Sequence, residues 1–438
     1  MGKFFGGTNK IFVVLLAVII AAAGLGSCSK IQDVTEVISQ DLPTADNTLT
    51  SLLDINRAMN DAMSQGETEL TFNATGVSED ELRNIGNNLS TFWGKPVRYT
   101  INNEFENIEG IVPGQAVTVQ NITNSFELSN NYYVYDYIRN GTPIPDDKPN
   151  AKEIANVLPG IAARIFTDPE ATDYEKTLAA HDWIVANIDY DDTIPGIGLE
   201  NSSYGALVQK RTMCQGYAEA LELLLRCYTN IETEQIVGEA LNYTNEDLSA
   251  DSSDESGTDV TTDANANPTG DAGGTAGADS SDGSGGDGAV QPSGDWGGHA
   301  WNAVKIDGAW YQIDPTFNDP KDNPSGQISH FYFGQTDEVM SANHRWANDY
   351  FPVSDTQNFL YFRQSGLFAD DWDSFQSILT GMLEESPVPS LEIAVQGATI
   401  DENNIQFIYK VRKDLEMIRW SEQVWNDVHV QSIELYYS

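Results

Sequence analysis

The chain has 438 residues, 66 of them acidic against 23 basic, giving a formal net charge of −43. That charge repels nucleic-acid phosphates and excludes them as a partner; an anionic membrane surface is no better matched. Hydrophobic residues make up 40% of the chain, enough for real cores in two or three domains, which excludes wholesale disorder.

Lys3 and Lys10 precede an apolar run from Ile11 to Ala23. Its length suits the core of a signal peptide and is short for a membrane span. It ends in Leu25-Gly26-Ser27-Cys28, which resembles the lipobox of bacterial lipoproteins. The resemblance implies that residues 1–28 are an export signal and that an acylated Cys28 anchors the protein to the outer face of a membrane. Residues 29–50 are polar and read as a spacer.

From 51 to 145 a small α+β domain is expected. Leu53, Ile55 and Met59 line a helix and Glu69 to Phe72 a strand, while Ala116–Val119 and Tyr132–Tyr137 alternate like half-buried strands. Pro143 to Pro149 marks a boundary. A second domain then runs over 150–355. In it Thr172 and Glu175 form a capping box opening a helix through Leu178, Ile184 and Ile188. His181 on that helix reads as a packed or surface residue. From 245 to 295 the chain is almost wholly Asp, Ser, Gly, Thr, Ala and Asn, and it reads as a disordered acidic insert. Its spacing fits no calcium loop. Residues 356–438 form a C-terminal α+β extension, with a helix over Phe375–Leu383 and a strand over Leu391–Val395 that weakly echo the N-terminal region.

The chemistry-bearing stretch is Thr212 to Tyr228, TMCQGYAEALELLLRCY. Thr212 and Gln215 suggest a capping box, and Ala218, Leu221, Leu224, Leu225 and Tyr228 recur on one buried helical face. Cys214 therefore falls in the first turn, where unpaired N–H groups and the helix dipole favour a thiolate. Alone, the position also suits a packed core cysteine. Cys227 lies on the same helix, about 20 Å away and beyond disulfide reach. With Cys28 that makes three cysteines, in no pattern that suggests a disulfide framework or zinc site.

Residues 298–306, GHAWNAVKI, alternate as a strand; Asp307-Gly308 is a two-residue hairpin turn, and Ala309–Asp314 is the return. If Ile306 faces Ala309, Trp301 faces Asp314 and His299 lies one diagonal step away on the same face, within reach of the carboxylate. A buried structural histidine and a turn-region aspartate are the alternative. Trp296, Trp301 and Trp310 surround the hairpin as core or cleft wall.

Together MCQGYAEA and HAWNAVKIDGAWYQIDPTF resemble the transglutaminase-like superfamily, as do His181-Asp182-Trp183, Tyr190-Asp191, Tyr204–Leu207 and Phe331–Phe333 with His344 and Trp346. The similarity covers Thr172 to Trp346. It implies an α+β fold: a papain-like core with the nucleophile helix on an antiparallel sheet, flanked by the small N-terminal domain and the C-terminal extension. It also implies Cys214 as nucleophile, His299 as base and later acid, and Asp314 as the residue that orients the imidazole. The backbone N–H of Cys214 and the side chain of Gln209 are candidate oxyanion donors. Bacterial members are thought more often to hydrolyse than to crosslink, and the expected substrate is a protein or peptide at the cell surface or cell wall. No cofactor or metal is implied. The alternative function is a surface-binding protein that uses the domain as a scaffold.

Overall fold

The computed structural model describes residues 48–75, 77, 90–102, 120–196, 198–242, 295–319, 328–385, 388–401 and 404–438. The export segment, Cys28, the spacer as far as residue 47, the strand expected at Ala116–Val119 and the acidic insert up to Gly294 lie outside them. The chain divides into two compact units. In the smaller, β1 (Thr48–Leu49) pairs in parallel with Asn73–Ala74 at the end of β2 (Glu69–Ala74).

The larger unit opens with α1 (Leu52–Ser64), capped by Ser51, whose hydroxyl accepts from Asp54 N at 3.1 Å. Ile55 and Met59 are buried on its inner face, as their spacing predicts, while Leu53 is half-buried and Leu52 is buried beside them. After β3 (Gly94–Asn102) and β4 (Gln120–Leu128) comes a correction. The strand expected at Tyr132–Tyr137 is part of helix α2 (Asn130–Asn140). Aromatic and β-branched residues favour a strand, but Ser129 caps the N-terminus through Tyr132 N and Gly141, at φ 77°, closes the C-terminus. Packing against two further helices adds to those end signals and overrides the local propensity.

The first of those helices is α3 (Pro149–Ile165). It is followed by α4 (Asp173–Asn187), where both bonds of the expected Thr172/Glu175 capping box are formed. Strands β5 (Asp189–Tyr190) and β6 (Arg211–Thr212) pair in parallel, Tyr190 opposite Thr212, and lead into α5 (Cys214–Tyr228). Here a second correction is needed. The cap of α5 is Met213, with no side-chain bond, and the Thr212/Gln215 capping box is absent. Thr212 belongs to β6, and its hydroxyl donates to Glu200 O at 2.8 Å. Gln215 turns instead to Thr91 and Glu219.

That displaced threonine explains Gly216. A Cβ there would lie 2.1 Å from Thr212 Oγ1 and 2.7 Å from the backbone oxygen of Ser202. Gly216→Ala is therefore expected to destabilise the protein by about 1–3 kcal/mol through overpacking, despite alanine's better helix propensity. A fall in the urea midpoint checks this; an unchanged midpoint refutes it.

Helix α5 packs on a five-stranded antiparallel sheet of β7 (Thr233–Asn242), β8 (Asp295–Ile306), β9 (Ala309–Ile313), β10 (Phe333–Gln335) and β11 (His344–Trp346), in the order β10-β9-β8-β7-β11. Its Leu221, Leu223, Leu224 and Leu225 are fully buried. The β8–β9 turn is the expected one: Asp307 and Gly308 have φ of 52° and 86°, and Ile306 pairs with Ala309. Positive φ at both positions matches the twist of a tight hairpin.

Beyond the sheet, β12 (Phe368–Ala369), α6 (Trp372–Glu385), β13 (Ser390–Gln396), β14 (Leu415–Trp425) and β15 (Val428–Tyr437) build a separate four-stranded sheet, ordered β12-β13-β15-β14. Phe375, Leu379 and Leu383 pack on Leu391, Ile393 and Val395, the helix and strand read from the sequence. Among the described residues no helix is long and apolar enough to cross a membrane.

Candidate active site

Cys214 is the first residue of α5, so its backbone N–H is among the four that a helix start leaves without an intrahelical partner. The thiol is 8% exposed. Strand β8 carries His299 toward it, and Asn302 on the same strand donates to Ala218 O at 3.0 Å, holding strand and helix together. Asp314 follows directly after β9. The register Asn302 to Ile313 extends to Trp301 opposite Asp314, which leaves His299 diagonal to the carboxylate.

His299 Nε2 donates to Asp314 Oδ2 at 2.6 Å. That leaves Nδ1 for the Cys214 sulfur, whose negative charge acts on the His299 ring. Burial disfavours charge on His299, but the Asp314 carboxylate and the Cys214 sulfur outweigh it and raise its pKa to about 10. Burial likewise opposes ionisation of Asp314, yet its hydrogen-bonded histidines hold the carboxyl well below the usual range. Cys227, by contrast, is pushed up to about 12 by burial, as befits an inert core thiol.

Asp314 accepts four hydrogen bonds. Its Oδ1 takes Thr316 N at 2.9 Å and Phe317 N at 3.1 Å; its Oδ2 takes His344 Nε2 at 3.0 Å in addition to His299. The wall around the pair is aromatic. Trp301 lies 5.7 Å from the His299 ring at an interplanar angle of 23°, and Phe317 lies 5.0 Å away. Trp301 is fully buried, its indole N–H on Gln312 Oε1 at 2.5 Å, while Trp296 and Trp310 are half-buried. Gln209 ends a π-helical turn, Gly205–Gln209, with its side chain exposed. Tyr190 is half-buried, and after burial the Cys214 sulfur is the largest influence raising its pKa.

A second buried network adjoins the first. His181 and His330 both bond Asp182 Oδ1, at 2.9 and 3.0 Å, and Glu392 of β13 lies 3.2 Å from His330 Nδ1. Asn318 assigns the protons. Its Oδ1 accepts from Tyr332 N at 2.9 Å, so its Nδ2 donates to His181 Nε2 at 2.9 Å. The His181 proton therefore sits on Nδ1, toward Asp182. The ligand-type atoms of His181, Asp182 and His330, like those of His299, Asp314 and His344, lie within 4.8 Å of one another. Hydrogen bonding accounts for both clusters.

Burial lowers the proton affinity of His330, but Asp182 and Glu392 reverse this and raise its pKa to about 9. A folded-state value above the unfolded one contributes stability that is complete below about pH 6.5 and is lost as pH rises through about 9. Thermal midpoints should therefore fall from pH 6.5 to pH 9.5 by more in the wild type than in His330→Phe. Parallel curves would refute it.

The roles of Asn318 and Glu392 had no sequence signal, because residues 182, 318 and 392 meet only in space; Asp182 was visible in the His181-Asp182-Trp183 motif, without the partners that give it a task. His344 was visible as part of a motif, without a partner that could assign it a task.

Residues 160–315 match the family model described as "Transglutaminase-like superfamily". Among curated proteins none matches the chain. Among solved structures, one described as a TGase is 11% identical with a TM-score of 0.22, covering 56% of this chain and 50% of its own. The periplasmic domain of TgpA from Pseudomonas aeruginosa is also 11% identical, with a TM-score of 0.21, covering 50% and 65% respectively. The chain thus spans half to two thirds of their lengths, and these likenesses are too distant to bear on function. The family match contains Cys214, His299 and Asp314 together with α5 and most of the sheet beneath it: the α+β core of this chain is a transglutaminase-like domain.

Proposed function

We propose that the protein is a lipid-anchored extracellular cysteine enzyme that cleaves peptide or carboxamide bonds through a thioester. One observation carries this reading: the His299 ring is bonded to a buried, ionised Asp314 through Nε2 and faces the thiol of a helix-start cysteine with its other side. The Cys214 thiolate attacks the substrate carbonyl carbon, the C–S bond forms and the carbonyl π electrons move to oxygen. The Cys214 N–H, at the helix start, is a candidate donor to that oxyanion. On collapse the C–N bond breaks and the His299 proton passes to the departing amine. Water, deprotonated by His299, then attacks the thioester and returns the thiol. A primary amine in place of water would make the same enzyme a crosslinking acyltransferase; hydrolysis is the proposed fate of the thioester.

On this reading an acylated Cys28 would hold the active site outside the cell, facing surface proteins or cell-wall peptides. The test needs no known substrate. Alkylation of Cys214 by iodoacetamide is followed against pH in the full chain and in His299→Ala. An apparent thiol pKa well below about 8.5 that rises in the variant supports the enzyme. A normal or raised value in both would favour the scaffold alternative.

A further inference from the structure

The unusual feature of the site is that two imidazoles share one carboxylate oxygen. His299 Nε2 and His344 Nε2 approach Asp314 Oδ2 at 2.6 and 3.0 Å, and their ring centroids are 5.4 Å apart. Both lone pairs of Asp314 Oδ1 are already committed to backbone N–H groups. Asp314 and His344 are both essentially without solvent exposure. Phe317 and Trp301 ring centroids stand 4.7 and 4.9 Å from His344, so the second imidazole is held in place by packing as well as by the carboxylate.

The arrangement solves a problem of proton affinity. A buried carboxylate with a single cationic partner stabilises that cation strongly, because little water screens the pair. An imidazolium held too firmly orients well but gives up its proton reluctantly, and a general acid must release it to the leaving amine. A second N–H on the same oxygen draws on the same negative charge; a carboxylate oxygen only accepts, so a His344 proton lies on Nε2, while its Nδ1 stands 2.7 Å from the Asn343 side-chain amide. Resting on the cysteine-enzyme reading above, we propose that His344 is a positioning residue that tunes His299: its Nε2–H takes a share of Asp314 Oδ2, holding the proton affinity of His299 below what an unshared carboxylate would impose. The titratable groups facing this centre are Asp314 after β9, Cys214 at the start of α5, His344 on β11, His181 on α4, and Tyr190 on β5, whose pKa is raised by burial and by the charges of Cys214 and Asp314.

The shape of the pH profile reads this directly. Alkylation of a thiolate–imidazolium pair has a lower limb, where the pair forms, and an upper limb, where the imidazolium loses its proton. The full chain is compared with His344→Phe, which removes the shared donor, and His344→Gln, whose Nε2 can replace it. The upper limb should move upward by about one pH unit in the Phe variant, a tenfold gain in proton affinity, and stay near wild type in the Gln variant. Once a substrate is found, kcat should fall by about tenfold in the Phe variant with KM little changed, the scale seen for groups that orient a reactive histidine.

An unmoved or lowered upper limb in His344→Phe, with the wild-type pair intact, overturns the tuning role and leaves His344 a packing residue. If that variant does not fold, His344→Asn serves instead, since its amide reaches only the Nδ1 position: the inference then requires Asn to shift the limb and Gln not to, and equal profiles overturn it. A wild-type profile with one limb near the free-thiol value, identical in His299→Ala, would overturn the enzyme reading and this inference with it.

Discussion

Cys214→Ala is expected to abolish acyl transfer, by at least about 10⁴-fold, while the fold survives. The change removes one sulfur atom from a side chain that is already 8% exposed at a helix start, where alanine is well tolerated. The cavity left is small, so the stability cost should stay near about 1 kcal/mol. The measurement pairs activity on a peptide library with a urea titration, and with a search by mass for a thioester on the peptide containing Cys214. Product masses also separate the two fates of the acyl group. Loss of an amine and gain of water marks hydrolysis; an added amine marks transfer. Activity that persists in Cys214→Ala would sink the assignment of the nucleophile, since Cys227 is buried with its pKa raised and Cys28 is the proposed site of the lipid anchor.

Asp314→Ala should be the more damaging variant overall. It removes the acceptor for four hydrogen bonds and leaves His299, His344 and the N–H groups of Thr316 and Phe317 unsatisfied in the interior. Breaking such a buried charged network costs about 3–5 kcal/mol, a large share of the stability of a domain. Asp314→Asn separates stability from chemistry. Its Oδ1 can still accept from Thr316 and Phe317, but its Nδ2 presents N–H groups to the two imidazoles. His299 must then carry its proton on the nitrogen facing Cys214, the wrong tautomer for a base. Activity is expected to fall by about 10⁴-fold, with a smaller loss of stability than in Asp314→Ala. The two urea midpoints and two rates form one test, and an active Asp314→Asn enzyme would refute the orienting role.

By itself the sequence determined the local pieces. The Asp307-Gly308 turn specified the register of β8 on β9 because both residues tolerate positive φ, and that register placed His299 diagonal to Asp314. The spacing of leucines after Cys214 determined a helix with a buried face, and Thr172 with Glu175 determined where α4 begins. Only tertiary structure decided the rest. Tyr132–Tyr137 has the side chains of a strand and became a helix because its caps and neighbours outweighed propensity. Thr212 looked like a helix cap and became a strand residue because Tyr190, 22 positions earlier, pairs with it. His344 sits on an edge strand that pairs with β7, and nothing in its local sequence could show that it shares an oxygen with the histidine 45 residues before it. Caps, turns and periodicity are encoded within a few residues of one another and can be read from the chain; the hydrogen bonds that join Asp314 to two histidines depend on which surfaces pack together, and that is set by the whole core.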